Sequence, residues 1–327
     1  MEYVQLGRTG VRVSRLCLGC MMFGGATDEK DSFRIIDRAI DEGINFLDTA
    51  NMYSAGRSEE VVGAALKRNG KRDSIFLATK VFNKMGTSPN DWGASRRHIM
   101  QQVEASLTRL KTDWIDLYQI HRPDPTTPID ETLRALDDLV RSGKIRYAGC
   151  STYQPWRLMQ ALWQSDKLGV VRFDSEQPPY SIMERRIEYG ILPMAREFDL
   201  AIIPWSPLFG GWLTGKYRKG NAPPSESREG RGSRFDESDP RTKARLDAVE
   251  QLVPIAENKG VSLSHFALAW LLDNKAVTAP IIGPRTEEQL IDNLGALDVT
   301  ITAEDRARVD AVIPPGTSVD GGRWIDY

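Results

Sequence analysis

The sequence predicts an α/β fold, a (β/α)8 TIM barrel with an N-terminal β-hairpin and extra helices. Three observations carry that expectation. Short apolar runs recur eight times over nearly the whole of 327 residues. Longer segments with helical period lie between them, and no linker separates the units. Such alternation implies a parallel sheet, and eight uninterrupted units favour a closed barrel over an open sheet.

The elements follow in order. YVQLGRTGVRVS reads as a hairpin turning at Gly7-Arg8-Thr9-Gly10. The apolar runs are LCLG, NFLDT, IFLATK, IDLYQIH, IRYAGCS, VRFDSEQ, LAIIPWS and APIIG. DSFRIIDRAIDEG places Phe33, Ile35, Ile36, Ala39 and Ile40 at helical spacing, with Gly43 as the stop. SRRHIMQQVEASLTRLK sets Ile99, Val103, Leu107 and Leu110 on one stripe. IDETLRALDDLVRSGK does the same with Leu133, Leu136 and Val140, and closes on Gly143. The polar stretch KYRKGNAPPSESREGRGSRFDESDPRTK is too long for a plain connection and reads as a mobile functional loop. The expectation is a single domain, 1–327, with that loop at about 208–240 and a Pro/Gly-rich tail at about 314–327.

Composition narrows the function. A net charge of −2 offers no basic field for nucleic acid. No apolar run approaches the roughly 20 residues of a membrane helix, and MEYVQLGRTG does not read as a signal peptide. Three cysteines do not make a disulfide framework in a chain this long, so a cytoplasmic location is expected. Cys17 and Cys20 form a lone C-x-x-C without a second ligand pair, which reads as buried strand, with no metal site. GGWLTGKY carries the G-x-x-x-x-G-K of a phosphate-binding loop. Tyr217 stands where magnesium needs Ser or Thr, and Trp212 and Leu213 fill the cradle, so NTP hydrolysis is not expected.

In a barrel of this kind chemistry sits at the C-terminal ends of the strands. The polar residues there are Asp48 with Tyr53 in the loop behind it, Lys80, His121, Ser151 and Thr152, Glu176 and Gln177, Trp205 and Ser206, and Gly283 with Arg285. A phenol is a poor acid at neutral pH, with a pKa near ~10. An ammonium beside it stabilises the phenolate, and a carboxylate keeps the ammonium charged. Asp48, Tyr53, Lys80 and His121 therefore make a set for protonating a developing alkoxide, with His121 to orient a carbonyl or assist the proton. The hydride of such a reduction must come from a cofactor. Each residue alone also has a plain reading: Lys80 as a Schiff-base or surface lysine, His121 as a strand end. Trp92, Trp156 and Trp212 fall near the expected mouth, as packing or as pocket wall.

The segments LDTANMYSAGRSEEVVGAAL, ATK, DLYQIH, GKIRYAGCS, IIPWSPLFGGWLTGKY and IIGPRTEEQLIDNL resemble those of the aldo-keto reductases, in that family's order, from about residue 1 to 313. The resemblance implies a nicotinamide cofactor and a catalytic tetrad of Asp48, Tyr53, Lys80 and His121, with Tyr53 as general acid. It implies cofactor contacts at Cys20, Met21 and Asp48, at Ser151, Thr152 and Gln177 for the nicotinamide amide, and at Trp205 for stacking on the ring. Ser206, Pro207, Leu208 and Gly210 would follow the pyrophosphate, with Lys216 and Arg228 in the covering loop. Gly283, Arg285, Gln289 and Asn293 would take the adenosine 2′-phosphate and adenine. Arg285, before a helix start near Thr286, favours NADP(H). Gln289 stands where many members carry Arg, which leaves NAD(H) use open. The partner implied is a small carbonyl substrate, an aldehyde, ketone or keto-sugar, and homo-oligomerisation is left open. The same resemblance carries a second reading, a non-catalytic nucleotide-sensing subunit of the channel β type. That class usually has an N-terminal extension, whereas this sequence starts at its hairpin.

Overall fold

The computed structural model describes residues 1–225, 227, 229–230 and 235–321. A hairpin of β1 (Tyr3–Gln5) and β2 (Arg12–Ser14) opens the chain. The barrel strands are β3 (Cys17–Gly19), β4 (Phe46–Asp48), β5 (Phe76–Val81), β6 (Ile115–Ile120), β7 (Ile145–Ser151), β8 (Phe173–Gln177), β9 (Ala201–Ile202) and β10 (Ile281–Ile282). They pair in parallel in the order β10-β3-β4-β5-β6-β7-β8-β9. The ring closes where Thr278 N–H donates to the Ile202 carbonyl at 2.8 Å and Ile281 N–H to the Pro204 carbonyl at 2.8 Å. The expected barrel is thus the fold of the chain.

The helices on the outside are α1 (Glu29–Asp41), α2 (Arg57–Asn69), α3 (Arg96–Leu110), α4 (Ile129–Arg141), α5 (Pro155–Leu168), α6 (Ile191–Glu197), α7 (Pro240–Asn258), α8 (Leu263–Leu272), α9 (Glu287–Leu294) and α10 (Ala303–Val312). Their starts are chemically marked. The side chains of Asp28, Ser95, Asp239, Ser262, Thr286 and Thr302 each accept a backbone N–H of the first turn. The stripe of Ile99, Val103, Leu107 and Leu110 is buried as its spacing predicts, and Gly43 and Gly143 turn their chains at positive φ.

β9 is shorter than LAIIPWS suggests. Pro204 has no N–H to give the ladder, so regular pairing stops at Ile202. Trp205 rejoins β8's continuation by an isolated bridge to Pro179. The hairpin covers the barrel's N-terminal end. Leu6 and Val13 join Cys17, Phe46, Phe76, Leu117, Ala201 and Ile203 in a cluster separate from the main core.

The first part of the 208–240 segment is packed. Phe209–Thr214 forms short 3-10 turns, and the buried Trp212 ring lies 4.8 Å from that of Tyr217 and stacks at 6.1 Å on Phe235. Trp212 is thus packing. Trp92 meets Phe82 edge-on, and Trp156 is exposed. The tail as far as residue 321 lies against the β8–α6 connection. Val319 N–H donates to Met183, Arg185 N–H donates to Thr317, and Asp320 pairs with buried Arg245. Trp324 and Tyr327 of the tail lie outside the described residues. Among the described residues no helix is long and apolar enough to cross a membrane.

Candidate active site

The alternation of side chains along parallel strands decides what the barrel mouth contains. Asp48 ends β4, Lys80 lies in β5 and His121 follows β6, so three neighbouring strands deliver them to one end. Tyr53 comes from the loop after β4. Its position needs an unusual backbone: Ser54 and Ala55 stand at φ 49 and 55, a left-handed region that costs non-glycine residues energy. Glu59 and Glu60 follow in the first turn of α2, favourable to its dipole. Buried Glu59 also accepts from Thr79 at 2.6 Å and from Arg109 at 2.7 Å, tying α2 to β5 and α3.

Lys80 is fully buried. Its Nζ pairs with Asp48 Oδ1, donates to the Thr49 carbonyl at 2.8 Å and lies 3.3 Å from the Tyr53 hydroxyl. Burial works against this ammonium, but the Asp48 carboxylate and, after it, the Tyr53 oxygen that accepts from it outweigh that and raise its pKa. The phenol goes the other way from the sequence expectation. Burial raises the Tyr53 pKa, and Lys80 offsets only part of that. Tyr53 in this state is a firmly protonated phenol beside a cation. His121 is buried, with its ring edge-on to Tyr53 at 5.7 Å. Burial, then Lys80 and Arg122, push its pKa well down, so it is a neutral imidazole at neutral pH. The arrangement can deliver a proton from Tyr53 and hold the resulting anion against Lys80.

The other predicted residues surround this centre. Cys20 is buried after β3, donates its N–H to the Asp48 carbonyl at 2.8 Å and accepts from Ser58 at 2.7 Å. Its neighbour Met21 is exposed at the rim. Ser151 ends β7 and Thr152 follows it. Ser151 Oγ donates to the Gln177 carbonyl at 2.8 Å, and Thr152 stands at φ 58. Gln177 ends β8 and reaches Asp48 Oδ2 at 2.9 Å. Trp205 and Ser206 follow β9 with Pro207 buried behind them. Ser206 has φ 59, and its Oγ accepts from Gly210 N–H at 3.2 Å. Leu208 is half-buried, its carbonyl taking the N–H groups of Gly211 and Leu213. Gly210 and Gly211 stand at φ 67 and 98, and a Cβ on Gly211 would lie 3.0 Å from Lys216 Nζ. Arg228 lies outside the described residues.

At the far side, Gly283 is exposed, and a Cβ there would meet nothing within 4 Å. Arg285 precedes α9. Its N–H donates to Gln289 Oε1 at 2.9 Å, and Gln289 N–H donates to Thr286 Oγ1 at 3.3 Å. The helix start near Thr286 is as expected, but the Gln289 N–H of its first turn and the Arg285 N–H just before it are thereby engaged, and Glu287 and Glu288 occupy that turn. Asn293 is buried on the same helix. Cys17, Cys20 and Cys150 are buried free thiols, and no acidic, His and Cys group able to hold a metal occurs among the described residues.

Two residues that the sequence reading did not single out enter the site. Arg122 donates to Thr152 Oγ1 at 3.0 Å and lies over the Trp205 ring at 5.8 Å. Gln119, two residues before His121, donates to Asp48 Oδ2 at 3.1 Å. Its only signal was a polar residue at an inward position of an apolar strand.

The C-terminal mouth of the parallel barrel thus holds a buried Lys–Asp pair beside a phenol and an imidazole. The chain belongs to the aldo/keto reductase family, whose model matches residues 15–314. It is 42% identical to an uncharacterized oxidoreductase, YrpG, of Bacillus subtilis, over 97% of this chain and 97% of that one. It is 36% identical to the aldo-keto reductase YhdN of the same organism, over 96% and 94%. It is also 37% identical to a probable voltage-gated potassium channel subunit beta of Oryza sativa, over 96% and 97%.

Proposed function

We propose that this chain reduces an aldehyde, ketone or keto-sugar carbonyl to the alcohol, reversibly, with NADPH as the preferred reductant. The observation that supports this reading most is the relay at the mouth, a protonated Tyr53 phenol 3.3 Å from a buried Lys80 ammonium that is itself paired with Asp48. The bound nicotinamide would supply the hydride. Tyr53 would give its proton to the carbonyl oxygen as negative charge develops there, and Lys80 would hold the phenolate that remains. Asp48 keeps Lys80 charged and aimed. His121, neutral and edge-on to Tyr53, would orient the carbonyl.

The residues fit a dinucleotide. Gly210 and Gly211, at positive φ, let backbone come close to a pyrophosphate. Ser151, Thr152 and Gln177 gather polar groups at one side of the mouth, and Trp205 offers a ring beside them. Cys20, Met21, Ser206, Pro207, Leu208, Lys216, Gly283, Gln289 and Asn293 would complete the contacts. Arg285 supports NADP(H) through a 2′-phosphate. The engaged Gln289 and the acids of α9 temper that attraction, so NAD(H) would also serve.

Steady-state oxidation of NADPH over a panel of carbonyls tests the reading. Turnover is expected, and tight NADPH binding with no turnover of any carbonyl would sink it. That second outcome would favour a non-catalytic regulatory subunit, the reading that the likeness to the rice channel subunit supports. Tyr53→Phe is expected to lower turnover about 10²–10⁴-fold with NADPH affinity, read by fluorescence, within about twofold. Arg285→Ala is expected to raise the KM for NADPH about tenfold more than that for NADH. Equal effects on both would remove the 2′-phosphate role.

A further inference from the structure

A buried amide network joins the Lys80–Asp48 pair to Gln177. Asp48 Oδ1 is taken by Lys80. Its other oxygen, Oδ2, accepts from Gln119 Nε2 at 3.1 Å and from Gln177 Nε2 at 2.9 Å. Gln177 Nε2 also donates to Gln119 Oε1 at 3.1 Å. Both glutamines are buried.

The directions of these bonds are fixed by chemistry. An ionised carboxylate only accepts, so each glutamine must turn its NH2 toward Asp48. Gln119 then has only its Oε1 to turn toward Gln177. That acceptor takes the second N–H of Gln177, and both hydrogens of the Gln177 amide are spent inside the network. Its Oε1 is the atom left to meet a ligand. Without Gln119, one N–H of Gln177 would lack its acceptor, and the amide would be freer to rotate away.

The barrel makes room for this side chain. Gly149 pairs with Gln119 across β6–β7. A Cβ on Gly149 would fall 3.1 Å from Gln119 Cγ and 2.3 Å from Ser175 Oγ. β7 also shifts register between Ala148 and Gly149, an irregularity of the kind that clusters near active sites.

We infer that Gln119 is a positioning residue that locks the Gln177 amide with its oxygen toward the ligand, so that the site selects a nicotinamide bearing a carboxamide N–H. The inference rests on the reductase reading and extends it. It also makes Gln119 the third member of the hydrogen-bonded unit that Asp48 and Gln177 already share directly.

The test is binding, measured by calorimetry on the full chain, of NADP+ and of its 3-acetylpyridine analogue, whose methyl ketone has no N–H. The wild-type protein is expected to prefer the carboxamide about tenfold, the worth of one buried hydrogen bond. In Gln119→Leu the preference is expected to collapse to within about twofold, while each ligand still binds. Gln119→Met, unbranched and of similar length, carries the test if the leucine variant does not fold. A preference unchanged in the folded variant, or absent from the wild type, would overturn the role of Gln119. A wild-type chain that binds neither dinucleotide would sink the reductase reading and this inference with it.

Discussion

Two buried carboxylates sit at the C-terminal ends of barrel strands, Asp48 last in β4 and Glu176 next to last in β8, on opposite faces of the same sheet. Asp48 points into the barrel, where it meets the Lys80 ammonium and two amide N–H groups. Glu176 is fully buried on the other face, where it meets the Cys150 thiol at 3.0 Å and the Tyr153 N–H at 3.1 Å. The inner site is a charged pair whose ammonium is reinforced. In the outer site burial dominates, and neutral donors together with the more distant Arg122 pull back too little, so Glu176 is pushed up to about 7. Burial is common to both. The cation decides whether the site holds charge or sheds it.

The largest test removes that cation. Lys80→Met leaves Asp48 buried and unpaired, and is expected to cost about 3–5 kcal/mol in urea unfolding at pH 7. A loss below about 1 kcal/mol would show that the amide donors alone sustain the carboxylate. Next comes the pH dependence of the outer site. Glu176 is raised from an ordinary 4.5 to about 7. The folded state therefore holds its proton longer than the unfolded state, and its stability falls as pH rises from about 4.5 to 7, by roughly 3 kcal/mol in all. Glu176→Gln should flatten that part of a stability–pH curve. An unaltered slope would mean that Glu176 is not the titrating group. The smallest test trims a donor. Cys150→Ala is expected to lift the Glu176 titration above about 7 and to cost about 1 kcal/mol at neutral pH. A downward move would place the thiol's influence elsewhere.

What the sequence revealed follows the same division. Asp48, Lys80 and His121 were legible because each is a distinct chemical type at the end of a recognisable strand, and Tyr53 because it stands in the loop just behind one. Their order follows from the order of strands, which the alternation of apolar runs already sets. Gln119 was not legible. It is one glutamine in an apolar run, and its partners lie 71 and 58 residues away in sequence, so only barrel closure reveals them. Glu176 was visible as a polar strand end, but which face it takes relative to Gln177 depends on strand register. The raised phenol pKa was missed for a different reason. Charge pairing can be read from residue types, whereas desolvation depends on how tightly Ser54 and Ala55 fold Tyr53 inward. Neither of those residues announces a left-handed turn.

The hairpin of β1 and β2 stops the lower end of the barrel with Leu6 and Val13, so traffic through this molecule is one-way in architecture and two-way in use. Whatever enters by the mouth must also leave by it. If a dinucleotide and a carbonyl share that doorway, as the proposed function requires, the one seated deeper would have to arrive first and depart last. Such a queue would follow from the closed opposite end, far from the mouth.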